Sequence, residues 1–225
     1  MTKKIMKKKL ALFILGALVF LFFVLFSYLV HKDLFTQIDF NTTVRLQDKI
    51  PRRVDSFFSL FSLIGSFEVA GVVLLAALLI KVKIWKSFKN AVKGIAGGVF
   101  VIGFFVAFHV LELFGKIFVN HLPPPQFMLR TEKLGDFPQF YIRLENSFPS
   151  GHSGRALFLT GIFFFMVIKS KKIPKQVKLF LILALVGYDV IMLVSRVYLG
   201  EHWITDVAGG AILGLSLAII SAVFI

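Results

Sequence analysis

Long uncharged stretches alternate with short polar ones along this chain, and the alternation predicts six helices of membrane-spanning length. Residues 10–30 form a 21-residue run without a charge, enough to cross roughly 30 Å of hydrocarbon at about 1.5 Å per residue. Further spans read at about 57–80, 94–119, 154–168, 177–194 and 203–225. The fourth is short for a full crossing, so its first turn is expected to take in the polar residues just before it. The basic start of the chain also fits a cleaved signal peptide. Against that, the first run is longer than a signal core, Phe and Leu fill it to its end, and no small-x-small site follows at His31. It is therefore expected to stay as a helix. No heptads, fixed-period repeats or low-complexity tracts interrupt the pattern. The expected architecture is all-α, a polytopic membrane protein with six transmembrane helices in one bundle over residues 1–225.

Composition agrees: the chain is 57% hydrophobic with 28 Phe. A net charge of +14 and a pI near 10.1 would ordinarily raise nucleic acid as a partner, so the placement of the charge matters more than its sum. Fifteen of the 26 basic residues fall in three acid-free clusters: Lys3, Lys4, Lys7, Lys8, Lys9; Lys81, Lys83, Lys86, Lys89, Lys93; and Lys169, Lys171, Lys172, Lys175, Lys178. These alternate with connections in which Asp and Glu are mixed, at 31–56, 120–153 and 195–202. The positive-inside rule then predicts both termini in the cytoplasm and places the ends of the third and fifth helices, and the starts of the fourth and sixth, at the outer face of the cell membrane. The excess charge encodes orientation. No basic stripe with interleaved aromatics lies in a soluble segment, so no nucleic acid is expected. Cysteine is absent, which removes a disulfide framework, thiolate metal sites and a cysteine nucleophile. The pattern sets no oligomeric state.

Two polar clusters interrupt the hydrophobic pattern on that predicted outer side. In Phe148-Pro149-Ser150-Gly151-His152-Ser153, Ser150 or Ser153 can cap the fourth helix. Gly151 permits close backbone approach, and the free N–H groups at the helix start suit an anion. A helix cap with an interfacial histidine fits Pro-Ser-Gly-His equally well. The second cluster fixes Ser195, Arg196, His202 and Asp206 over twelve positions. His202 and Asp206, four apart on one helix face, let a carboxylate take an imidazole N–H, fix the tautomer and leave the other nitrogen free to attack. Arg196 offers a planar fork of donors matched to phosphate oxygens. The structural alternative is an Arg196–Asp206 pair tying the last two helices together, with His202 at their interface.

Together, in order and on one face, the clusters resemble the second and third motifs of the type 2 phosphatidic acid phosphatase (PAP2) family, PSGH and SRxxxxxHxxxD. They stand complete as Pro149 to His152 and as Ser195, Arg196, His202 and Asp206. The family's first motif, KxxxxxxRP at the outer end of the third helix, is matched by Lys116 and Pro124, with Pro123 where the arginine should be. The resemblance covers residues 94–225, the expected catalytic part. It implies a lipid phosphate or pyrophosphate substrate, His202 as nucleophile through a phosphohistidine, and Asp206 as its orienter. It gives His152 the role of general acid and then base, with Lys116, Arg196, Ser150 and the Gly151 amide holding the phosphoryl oxygens. It implies no metal and no cofactor, and no further cluster of ligand-spaced carboxylates or histidines is evident.

The missing arginine weakens the first motif by as much as the loss of one oxyanion donor, several kcal/mol. Arg155, three residues after His152 in the first turn of the fourth helix, is the favoured substitute, with snorkelling to headgroups as its alternative; Arg130 and Arg143 are less constrained. Glu112 is expected to pair with Lys116 four residues on, His109 to continue that face, and Asp189 to support Arg196, while Glu68 has no evident partner. Phe127, Phe137, Phe140, Tyr141 and Phe148 are expected at the interface around the substrate's route. Pro123-Pro124-Pro125 should end the third helix. A phosphotransferase on the same site and a non-catalytic lipid-binding or transport protein with a degenerate first motif both stay open.

Overall fold

The computed structural model describes residues 3–83, 88–131 and 145–224, the side chains of 4 and 81–93 excepted. Lys86, the side chains of the rest of the middle lysine cluster, and the expected interfacial residues Phe137, Phe140 and Tyr141, with Arg143, lie outside that description.

Among the described residues eight α-helices follow one another: α1 (Lys3–His31), α2 (Thr36–Lys49), α3 (Asp55–Ser62), α4 (Phe67–Lys83), α5 (Phe88–Phe118), α6 (Gly151–Lys169), α7 (Lys175–Tyr198) and α8 (Ile204–Ser221). Among the described residues there is no strand. Five single helices, α1 and α5 to α8, are long and apolar enough to cross a membrane. A sixth candidate is a bent pair, either a broken span or a re-entrant loop: residues 52–65 and 67–80 meet at a 52° bend, with a tight turn over Leu63–Gly65 between α3 and α4. The protein is thus an all-helical, polytopic membrane protein. α2 is the element the hydropathy pattern leaves out. It is a polar helix with Asp39 and Thr43 buried on one side, packed on α7 and α8.

α6 and α8 form the centre, and small residues explain how closely they approach. A Cβ on Gly210 would lie 2.1 Å from the Ser150 carbonyl oxygen, and one on Gly214 would lie 2.1 Å from that of Gly154. One face of α8 therefore meets the α6 backbone directly, as small-residue interfaces allow where lipid gives no hydrophobic drive. α1 packs along the other side of α8, and α5, α7 and α4 complete the bundle. Phe148 is fully buried among Phe23, Phe26 and Gly209. It is a core residue, which corrects its expected place at the interface, because the first motif cluster dives into the bundle at this point. Outward, Leu18, Leu21 and Leu25 of α1 and Leu179, Phe180 and Leu183 of α7 are exposed, as side chains facing hydrocarbon should be.

The middle of α1 lies beside the end of α8, where Gly16 packs on Ile220, so the first half of α1 runs on past that end, and Lys169 donates to the Ala222 carbonyl there. The two termini share one end of the bundle. The polar motif residues gather at the other.

Candidate active site

Four helix ends build the site. Ser150 precedes α6, and its N–H donates to the Asp206 carbonyl at 2.9 Å, which joins the two motif clusters directly. The first N–H groups of α6 have no acceptor within the helix and point toward the bundle end. Ser150 makes no side-chain cap; its hydroxyl accepts from Ser153 at 3.1 Å. At the end of α7, a glycine at φ +70, Gly200, turns the chain under Met128, whose carbonyl would lie 2.2 Å from any Cβ. That turn requires glycine, and it returns the chain so that the His202 N–H donates to the Arg196 carbonyl at 3.3 Å.

Asp206, fully buried, sits in the first turn of α8. Its Oδ2 accepts from the Trp203 N–H at 3.0 Å and faces His202 Nδ1 at 3.4 Å. The helix-capping bond holds the carboxylate, and the carboxylate orients the imidazole through Nδ1, leaving Nε2 clear of it. Burial, aided by the charges of Lys116 and Arg196, holds His202 below its ordinary pKa against the opposing pull of Asp206. A neutral imidazole is the form that can attack. His152, in the first turn of α6, lies within electrostatic reach of Arg196, Arg155, His202 and Lys116, and its ring rests by Gly65.

The structure also distributes the cations differently from the simple sequence pattern. Arg196 is 1% exposed and pairs with Glu201, not with Asp206. Glu201 also accepts from the Thr131 hydroxyl. Lys116 donates to the Ser147 carbonyl at 3.2 Å. The expected Glu112–Lys116 pair is replaced: Glu112 binds Arg155 at 3.1 Å, because α5 and α6 converge here and the guanidinium reaches the carboxylate first. Arg155 also donates from Nε to the Gly65 carbonyl at 2.8 Å. It is 7% exposed, so it does not snorkel. The break between α3 and α4 supplies that carbonyl, and Gly151 is needed because a Cβ there would sit 2.0 Å from Glu112 Oε1. Arg130 is held elsewhere, stacked on Tyr198 and bonded to its hydroxyl at 3.2 Å. Asp189 accepts from Thr160 of α6 and does not support Arg196. His109 is enclosed by Phe67, Phe105 and Phe108. Phe127 is 80% exposed at this end of the molecule. Helix α5 stops at Phe118, before the prolines.

Two residues that the sequence reading passes over stand behind the dyad. His121, three residues beyond α5, places Nδ1 2.8 Å from Asp206 Oδ1 and Nε2 3.4 Å from Asp39 Oδ2. Asp39 of α2 in turn accepts from the Thr205 N–H at 3.0 Å and from its hydroxyl at 2.8 Å. Burial alone would lower the pKa of His121; the hydrogen bonds to Asp206 and Asp39, with their charges, outweigh it and raise it to about 9. The only sequence signal was position, since His121 lies inside the segment from Lys116 to Pro124.

Over 83 residues the chain is 40% identical to phosphatidylglycerophosphatase B of Bacillus subtilis (strain 168), a stretch covering 36% of this chain and 40% of that relative. The chain thus matches well under two thirds of that relative's length. Its fold resembles the crystal structure of a transmembrane PAP2 type phosphatidylglycerolphosphate phosphatase from Bacillus subtilis. The TM-score is 0.69 at 21% identity, over 92% of this chain and 93% of that one. The sequence profile of the PAP2 superfamily matches residues 93–225, which contain Lys116 and both complete motifs. The chain belongs to the PAP2 superfamily.

Proposed function

We propose that this chain is a membrane lipid phosphatase that hydrolyses a phosphate monoester or pyrophosphate of a lipid at the extracytoplasmic face, without a metal, through a phosphohistidine. The observation that carries the reading is the buried Asp206 carboxylate holding His202 Nδ1 while Lys116, Arg196, Arg155 and His152 gather on the same small volume. In this reading Nε2 of His202 attacks phosphorus as the P–O bond to the lipid breaks, and His152 delivers a proton to the departing alkoxide. Lys116, Arg196, Arg155, the Ser150 hydroxyl and the Gly151 N–H stabilise the phosphoryl oxygens. Water then attacks phosphorus, His152 takes its proton, and the P–N bond breaks. Arg155 fills the charge that Pro123 cannot supply.

The lysine-cluster asymmetry supports an outward-facing site in the cell membrane. Phosphatidylglycerol phosphate is the first substrate to try, given the activity for which the Bacillus relative is named. The purified protein in detergent, with chelator present, is expected to release phosphate from this lipid or from another in a panel of lipid phosphates and pyrophosphates. His202→Ala is expected to lose that release. Equal release by both proteins, or by neither across the panel, would rule the reading out.

A further inference from the structure

We propose that His121 is a positioning residue for the reaction: as an imidazolium clamped between Asp206 and Asp39, it fixes the carboxylate that orients His202. The inference rests on the phosphatase reading above and adds a link that the sequence motifs do not contain.

The geometry carries it. Both ring nitrogens of His121 face carboxylates, Nδ1 toward Asp206 and Nε2 toward Asp39. A neutral imidazole has one N–H and would turn a lone pair toward one of these anions, so the arrangement calls for the doubly protonated ring. The clamp is itself anchored. The His121 N–H donates to Asn146 Oδ1, and its carbonyl accepts from the N–H and hydroxyl of Ser147. The neighbouring Asn120 N–H donates to His31 of α1. Asp39 is fixed by Thr205 at the start of α8. The charged groups facing the ring are Asp39 from α2 and Asp206 from α8, while Lys116 of α5 acts on Asp206 from nearby. Asp39, His121, Asp206 and His202 therefore form one continuous chain from a surface helix to the attacking nitrogen. Loss of one His121 proton turns a lone pair toward Asp206 or Asp39; where Asp206 loses the bond, its Oδ2 is held only by the Trp203 N–H, and the grip on His202 loosens.

The sign of the pH effect follows from which form does the positioning. Protonated His121 positions the dyad, so the turnover number should fall as pH rises through about 9, where burial is outweighed by the two carboxylates. The test is the pH profile of kcat and KM for the full chain in detergent on phosphatidylglycerol phosphate and phosphatidate. In Asp39→Asn the alkaline limb should move down by about one pH unit, while Asp39→Glu, which keeps the charge, should restore it. His121→Asn should lower kcat roughly a hundredfold, the effect of small misplacements of a reacting group, with KM within about twofold. An inactive His202→Ala beside an alkaline limb that Asp39→Asn leaves in place overturns this inference and spares the phosphatase reading. A His202→Ala that still releases phosphate overturns both. One measurement needs no variant to fold: among the ring 15N signals of the 5 histidines, one should remain doubly protonated at pH 8. If all are neutral there, the clamp does not exist.

Discussion

Arg155 shows how a single side chain can move from ambiguous to interpretable once its partners are known. In the sequence it is an arginine near a helix end, favoured as a phosphate ligand with snorkelling to headgroups as its alternative. In the structure it is buried, with Nη1 on Glu112 and Nε on the Gly65 carbonyl, a posture that fixes the guanidinium plane beside His152. Arg155→Ala is expected to reduce kcat/KM on the preferred lipid phosphate by about 10² to 10³, the range for loss of one transition-state donor. Arg155→Lys should recover little, since lysine cannot keep both bonds and the fork. Turnover unchanged in both variants would remove Arg155 from the reaction. Residues of this kind divide sharply by legibility. His202 and Asp206 are readable because they stand four apart at a helix start, although α8 begins only at Ile204 and His202 meets the carboxylate from just before the Trp203 cap. Asp39 and Thr205 are 166 positions apart, and His121 meets Asp206 across 85; no local period encodes such pairs. Phe148 misleads for a related reason, because its flanking polar residues suggest an interface while the chain carries it into the core.

At the scale of elements, hydropathy reads helices well when they are continuous and poorly when they are interrupted. The second predicted span, residues 57–80, contains Ser62, Gly65 and Ser66, residues that favour turns, yet averaged hydropathy passes over them and reads one span. The interruption has a use, since it offers the Gly65 carbonyl to Arg155. Helix α2 escapes the same window because it is polar, though it contributes Asp39 and binds the Met128 and Tyr198 carbonyls through Gln47. The α6–α8 contact is legible only in hindsight, as Gly210 and Gly214 four apart. Gly214→Leu is expected to force these helices apart at the Gly154 carbonyl. Overpacking of this kind destabilises by about 1 to 3 kcal/mol or more, and should appear as a lowered thermal midpoint in detergent and a loss of phosphate release together. A variant with unchanged midpoint would mean that the backbones are not in contact.

For the whole molecule, the bundle puts both termini at one end and the motif residues at the other, while the lysine clusters supply the sign of the arrangement. The natural chain has no cysteine, so single cysteines report sidedness without background. Phe127→Cys, at the motif end, should react with a membrane-impermeant maleimide on intact cells. Lys171→Cys, in the exposed turn between α6 and α7, should react only after permeabilisation. The opposite pattern would reverse the proposed orientation. Sequence alone could propose this topology because charge bias acts on whole loops, a scale at which exact contacts do not matter.

If the proposed phosphatase reading holds, the bond from the Ser150 N–H to the Asp206 carbonyl bears on how substrates are sorted. It fastens the segment that carries His152 to the segment that carries His202, and the interlocked glycines just below prevent the two from sliding. The jaws of the site thus have a fixed gauge, set by backbone and indifferent to rotamer. In the proposed reading, discrimination among lipid phosphates then falls to whatever borders the opening.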